Sequence, residues 1–271
     1  MSARPRLVLK LGGELLDEPQ DVRRVARAIA RLSQRAALVV VHGGGREIDS
    51  ALAVAGIPKR QVDGLRVTDA RTLDVVVAVL AGAINTRLVA AVRRAGASPV
   101  GLTGADATVA TVKRVAPILS VAGATVDLGL VGAPVNNGAP RLLTDLLARG
   151  YVPIVACVGV ARSGQLLNVN ADTFASHLAT AIGARRLVIA GGTAGVLDER
   201  GRTIDRLTLR DAARLVKDGT ANKGMVAKLQ ACRTALRAGV GDVVVADGRK
   251  TRLGTLADPT ARLSACTQVV R

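Results

Sequence analysis

Short, unbroken apolar runs alternate along this chain with longer stretches in which apolar residues return every three or four positions. Residues 6–10, 37–41, 98–102, 152–158, 186–190 and 242–246 are runs of the first kind, rich in Val, Ile and Leu, and they predict buried β-strands. Between the first two, Val22, Val25, Ala26, Ile29 and Leu32 mark residues 22–33 as an amphipathic helix. Residues 72–95 predict a long helix that stops at Gly96, the residue type that most readily ends one. Further helices are expected over 142–148, 172–182, 209–217 and 228–238. Strand–helix alternation with continuously apolar strands is the pattern of an α/β fold whose parallel sheet is covered on both faces. Residues 106–138 break the rhythm: rich in Val, Gly and Thr, they read as a hairpin or small antiparallel excursion. No repeat or low-complexity linker divides the chain, and a soft boundary falls near 172–183, where a second β/α series begins.

Composition narrows this picture. Of the 271 residues 49% are hydrophobic but only 1% aromatic, namely Tyr151 and Phe174, so the core must be built from Ala, Val and Leu. That excludes modules that stack nucleobases on aromatic platforms. No apolar run approaches the ~20 residues that span a bilayer, and residues 1–6 lead into no signal-peptide pattern. A soluble, cytoplasmic protein is expected. The net charge of +17 favours anionic partners, yet only seven of the 38 basic residues are Lys. The arginines are scattered, with no run of five like charges and no nucleic-acid-binding motif, so nucleic acid is an unlikely partner. Cys157, Cys232 and Cys266 are too widely spaced for a disulfide framework or a metal site, and His42 and His177 lack ligand spacing; no structural metal is expected.

Candidate chemistry gathers where predicted strands end. Lys10-Leu11-Gly12-Gly13 closes the first strand, and His42-Gly43-Gly44-Gly45 closes the second ahead of a helix. Glycines there let backbone N–H groups approach an anion, and a lysine adds a point charge for phosphate oxygens. Either cluster alone could be a tight turn; two on strands expected to be neighbours favour an anion site. No GxxxxGK[ST] loop is present. Asp63-Gly64-Leu65-Arg66-Val67-Thr68 places an arginine suited to bidentate capture of a carboxylate in a glycine turn. Asn168-Val169-Asn170-Ala171-Asp172 opens a helix; Asp172 could serve only as its cap, but two amides and a carboxylate exceed what a cap requires. Gly224-Met225 precedes Lys228 near the start of another helix, where the macrodipole disfavours a cation and an anionic neighbour would explain it.

These five clusters, in this order, resemble the amino acid kinase family, and within it the branch acting on N-acetylglutamate, to which the Asn168–Asp172 and Gly64–Thr68 segments are specific. The resemblance implies a three-layer αβα sandwich around a mainly parallel central sheet. It implies an N-terminal acyl-amino-acid-binding and dimerisation domain over 1–175 and a nucleotide domain over 176–271. The implied reaction is phosphoryl transfer from ATP, with Mg2+, to the γ-carboxylate of N-acetylglutamate in arginine biosynthesis, by a homodimer. Lys10 and Lys228 would neutralise the transferring phosphoryl group from opposite sides, and Asp172 would orient them. Gly44, Gly45, Arg66 and Asn168 would hold the substrate. Gly12, Gly13, Gly192, Thr193, Gly195, Leu197, Asn222, Gly224 and Met225 would hold phosphate and nucleotide.

Two departures fall in the nucleotide half. Where relatives carry an acidic residue just before Gly195-Val196-Leu197, this chain has Gly192, and Asn222-Lys223 stands where a small or acidic residue is usual. Cys266-Thr267 stands where a Gly-Thr pair is common. Two other readings stay open: a kinase of the same family whose amino-acid substrate is attached to an acidic carrier protein, which the basic charge would suit, and a catalytically weak binding or regulatory homologue.

Overall fold

The computed structural model describes residues 4–219, 223–256 and 266–271. Eight strands form the central sheet: β1 (Arg6–Leu11), β2 (Ala37–His42), β3 (Pro99–Thr103), β4 (Val152–Ala156), β5 (Arg186–Gly191), β6 (Arg206–Thr208), β7 (Asp242–Asp247) and β8 (Cys266–Val270). Their spatial order is β6-β8-β7-β5-β1-β2-β4-β3. The six strands from β7 to β3 run parallel, while β8 turns antiparallel to β7. The expected continuous apolar runs are these parallel strands; all but the half-exposed edge strand β3 are buried on both faces because helices cover both.

On one face lie α1 (Pro19–Arg35) and the C-terminal part of α3 (Ala70–Arg94); on the other lie α4 (Arg141–Ala148), α5 (Ala171–Ala181) and α7 (Lys223–Arg237). Two further helices, α2 (Gly45–Val54) and α6 (Leu209–Lys217), follow β2 and β6. Burying the sheet leaves no large aromatic requirement: the cluster is built from Val, Leu, Ile and Ala, with Phe174 its one aromatic member. A smaller satellite cluster, Val196, Leu207, Ala212, Met225 and Leu229, holds α6 and α7 against the loop after β5.

The irregular middle is part of a second sheet. Val158–Val160, Leu166–Val169, Val131–Pro134 and Val112–Arg114 pair in that order, with a hairpin at Ile118–Leu119 and Thr125–Val126 beside them. The antiparallel excursion expected at 106–138 is thus present, but it docks in parallel onto Leu166–Val169, a pairing that local pattern could not reveal. The run expected as one strand over 152–158 is divided at Cys157, the residue where the chain leaves the first sheet for the second.

Helix α3 departs from regular α geometry over Ala78–Ile84, which is π-helical. It spans 25 residues, and by length and composition it could cross a membrane, with a third of its most apolar stretch buried. Asp74, Asn85 and Arg87 interrupt it, which is why it does not stand out in the sequence as one apolar run. The extra residue per turn sets Leu80 and Ile84 against Gly44, where a Cβ would collide with the Ile84 side chain.

Candidate active site

The C-terminal ends of β1, β2, β5 and β7 share one edge of the sheet, and backbone bonds staple them there. Gly12 N–H donates to Ala190 O at 2.8 Å, Gly43 N–H to Leu11 O at 3.1 Å, and Gly248 N–H to Gly191 O at 2.8 Å. The two glycine loops meet backbone against backbone: a Cβ on Gly13 would lie 2.9 Å from the Gly44 Cα. The expectation that these loops are neighbours is met, and the close approach explains why neither position accepts a side chain. The first-turn N–H groups of α2, beginning at Gly45, have no partner within the helix and border the same floor.

Over this floor two lysines meet one carboxylate. Lys10 Nζ lies 2.8 Å from Asp172 Oδ1 and Lys228 Nζ lies 3.7 Å from Asp172 Oδ2. Lys10 comes from the middle of the sheet and Lys228 from the second turn of α7, so groups 218 positions apart in the sequence share one partner. Asp172 is 5% exposed and Lys10 7% exposed. Burial pushes the Asp172 carboxyl up, but Lys10 and Lys228 reverse this and hold it below the usual carboxylate range. Burial likewise lowers Lys10, yet Asp172, with Glu14 assisting, raises it above an ordinary lysine. Both groups are therefore charged at neutral pH.

Asp172 is not the helix cap. Asn170 is: its Oδ1 accepts from the N–H groups of Asp172 and Thr173, each at 3.0 Å. With the cap supplied two residues earlier, the Asp172 carboxylate is available to the lysines.

The residues expected to hold the substrate lie on adjoining elements. The hairpin of Gln61–Val62 and Leu65–Arg66 turns through Asp63 and Gly64, both left-handed. Its last residue, Arg66, has a side chain 8% exposed; one guanidinium nitrogen pairs with Asp49 on α2, while Nη1 is buried with no hydrogen-bond partner among the described residues. Asn168 donates to Thr68 Oγ1 at 3.2 Å, which joins the second sheet to the segment after that hairpin.

The residues expected to hold phosphate and nucleotide divide. Gly191 ends β5 and Gly192 follows it; the Gly192 N–H donates to Glu14 Oε1 at 2.8 Å. Thr193 O accepts from Gly195, whose φ of +90° makes the turn, and Thr267 Oγ1 accepts from Val196 N–H at 2.7 Å. Thr267 thus keeps a fixing role although the usual glycine before it is Cys266. Leu197 is exposed beside this loop, and Gly224 is exposed at the start of α7. The Met225 side chain goes into the satellite core, so its expected nucleotide contact would not use that side chain. Asn222 lies outside the described residues.

Three participants were not anticipated. Glu14, in the turn after Gly13, spans to the Gly192 loop. Arg249 Nη2 braces that turn by donating to Glu14 O at 2.6 Å, and its Nε donates to Asp21 at 3.1 Å. Asn85 lies between β2, β3 and β4: its amide donates to Ile154 O at 2.9 Å and sits 3.0 Å from His42 Nε2. The polar residue inside the apolar run of α3 was the available signal for it. Gly101 leaves the space Asn85 occupies, since a Cβ there would strike the Asn85 oxygen.

His42 is fully buried in this network, and burial lowers its pKa to about 4. A histidine that is neutral when folded but titrates near 6.5 when unfolded withdraws stability as pH falls from about 6.5 to about 4, because the unfolded chain binds the extra proton. We expect a loss of about 3 kcal/mol over that window from this group. Urea denaturation at pH 7 and pH 4 measures it, and a His42→Gln variant, which keeps an acceptor for Asn85, should lose about 3 kcal/mol less than the parent.

Known proteins share this arrangement of elements. The profile of the amino acid kinase family matches residues 5–247. An acetylglutamate kinase of Afipia carboxidovorans is 40% identical over 248 residues, which is 90% of this chain and 84% of that protein. Among solved structures, an N-acetylglutamate synthase from Neisseria gonorrhoeae, bound to coenzyme A and N-acetyl-glutamate, superposes with TM-score 0.83 at 24% identity. That match covers 98% of this chain and 59% of the synthase's length. A carbamate kinase from Giardia matches with TM-score 0.67 at 17% identity, over 99% of both chains. At these identities the two structures speak for the fold alone.

Proposed function

Because the chain belongs to the amino acid kinase family, we propose that it transfers the γ-phosphoryl group of ATP to the γ-carboxylate of N-acetyl-L-glutamate in arginine biosynthesis. The observation that carries this reading is the meeting of Lys10 and Lys228, one from each half, on the single buried carboxylate of Asp172.

The chemistry follows from the reactants. A carboxylate nucleophile is already ionised at neutral pH, so no general base is required. One of its oxygens forms a bond to the γ-phosphorus as the bond to the bridging oxygen breaks, leaving ADP and an acyl phosphate. What the protein must supply is alignment and positive charge around three migrating oxygens. Lys10 and Lys228 supply the charge. Asp172 is a positioning residue: it keeps Lys10 charged and holds both ammonium groups in place. The backbone amides of Gly13, Gly44 and Gly45 face the phosphoryl group at rest and in flight. Gly12, whose own N–H is given to Ala190 O, makes room for the Glu14 carboxylate rather than acting as a donor.

Arg66, with Nη1 lacking a partner among the described residues, takes the α-carboxylate of the substrate, and Asn168 takes its acetamido end. The Gly191–Leu197 loop and the start of α7 hold ATP. Mg2+ would accompany ATP and would offset the negative charge of its phosphates; among the described residues no three His, Cys, Asp or Glu side chains cluster as a metal cage.

On this reading, residues 1–175 bind the acyl amino acid and 176–271 the nucleotide, in a cytoplasmic homodimer. The exposed face of α3, with Ala78, Gly82 and Ala83 in its most apolar stretch, is the surface a second copy would cover.

The test is trapping of the acyl phosphate by hydroxylamine in a mixture of protein, ATP, Mg2+ and N-acetylglutamate. Hydroxamate should form with the free amino acid, and its absence would overturn the reading. Arg66→Lys should raise KM for N-acetylglutamate about tenfold to a hundredfold with kcat for the residual activity less affected, since a point charge replaces a planar fork. An unchanged KM would remove Arg66 from the substrate site.

A further inference from the structure

We propose that Glu14 supplies the carboxylate facing the nucleotide's phosphates and their divalent cation, the place that an acid at position 192 would otherwise fill. The proposal rests on the kinase reading and adds a residue to it.

The Glu14 side chain reaches from the turn after β1 to the loop after β5, and its Oε1 accepts the Gly192 N–H at 2.8 Å. Its carboxylate lies over Gly12, where a Cβ would be 2.6 Å from both its Cδ and its Oε1, and against Gly191, where a Cβ would be 2.9 Å from Oε1. A Cβ built on Gly192 would stand 3.5 Å from Glu14 Cγ and 3.7 Å from Oε1. A side chain at 192 would therefore start in van der Waals contact with Glu14, so carboxylates carried at 14 and at 192 would be neighbours at one place. Nothing in the backbone demands glycine at 192, since its φ is not in the left-handed region where Gly195 sits.

The turn that carries Glu14 is held on every side. Gly13 packs on Gly44, the Leu15 side chain fills the space over Gly248, and Arg249 donates to Glu14 O at 2.6 Å. The carboxylate is thus presented by a rigid element, at the rim of the amide-lined floor and within the field of Lys10.

A carboxylate beside a polyphosphate repels it unless a cation stands between them. Glu14 should therefore matter to nucleotide binding chiefly through Mg2+. Calorimetric titration of ATP into the intact chain, with and without Mg2+, measures this without turnover. Glu14→Gln keeps an acceptor for the Gly192 N–H and removes only charge; the gain in ATP affinity brought by Mg2+ should fall about tenfold, the scale of loss when an outer partner of a metal is removed. Affinity for N-acetylglutamate should be unchanged. Glu14→Ala/Gly192→Asp moves the carboxylate to the other side of the same volume and should return the Mg2+ gain to within about threefold of the parent. If Glu14→Gln leaves that gain unaltered, or the relocated acid restores none of it, this assignment is overturned while the kinase reading stands. If the parent binds no ATP with Mg2+, both are overturned.

Discussion

Truncation of Lys228 to alanine is expected to lower kcat by about a thousandfold while leaving stability within about 0.5 kcal/mol of the parent. The two halves of this expectation come from different parts of the geometry. The Lys228 side chain is 21% exposed and stands 3.7 Å from Asp172, a distance at which a partly solvated ion pair adds little to folding. During transfer, by contrast, it is one of two cations around a migrating phosphoryl group in a dry cleft, where single charge-stabilising groups are worth about a hundredfold to a hundred-thousandfold in rate. Hydroxamate formation at saturating substrates reads the first quantity and urea denaturation the second. A loss of activity below tenfold, or one matched by a stability loss of several kcal/mol, would remove Lys228 from the transfer step.

The second large effect belongs to Asp172. Asp172→Asn leaves the buried Lys10 without a counter-charge, and an uncompensated buried ion costs about 3–5 kcal/mol. Activity should fall by at least a hundredfold, because Lys10 loses the group that keeps it protonated and aimed. Here stability and rate fall together, unlike Lys228→Ala. Replacing both partners, as in Lys10→Met/Asp172→Leu, should recover most of the stability and none of the activity, since an apolar pair satisfies the core but not the phosphoryl group. The pH profile carries the same signature. Asp172, held below its ordinary value, contributes stability that is present above about pH 4 and lost as pH falls through its folded value. Lys10, held above its ordinary value, contributes stability present below about pH 10 and lost as pH rises through its folded value. These two contributions should vanish in the double variant, leaving the acid loss that His42 and carboxylates such as Asp49 supply; a double variant as unstable as Asp172→Asn would show that the site is held by something else.

The strands and helices that bear the site were legible because parallel strands buried on both faces must be continuously apolar and their helices amphipathic. Lys10 and the two glycine clusters stand out against that background, since a lysine at the end of a buried strand and glycines ahead of a helix each need a reason. The separation of roles at Asn170 and Asp172 was only half legible: both can cap a helix, and only the fold shows which one does. Glu14 was missed because its meaning depends on a glycine 178 positions away, and no local pattern couples the two. The docking of the middle segment onto Leu166–Val169 was hidden for the same reason, being a pairing between strands of three or four residues whose partners are remote. Asn85 gave a signal, an amide in an apolar helix, without disclosing that it bonds across three strands.

Strand β1 is hydrogen-bonded along its length to β2 on one side and to β5 on the other, so the two β/α series hang from a common beam. Lys10 is set in that beam; Lys228 rides on a flanking helix. The first ammonium is thus fixed by the ladder hydrogen bonds of a central strand, and the second by the packing of one helix on the sheet.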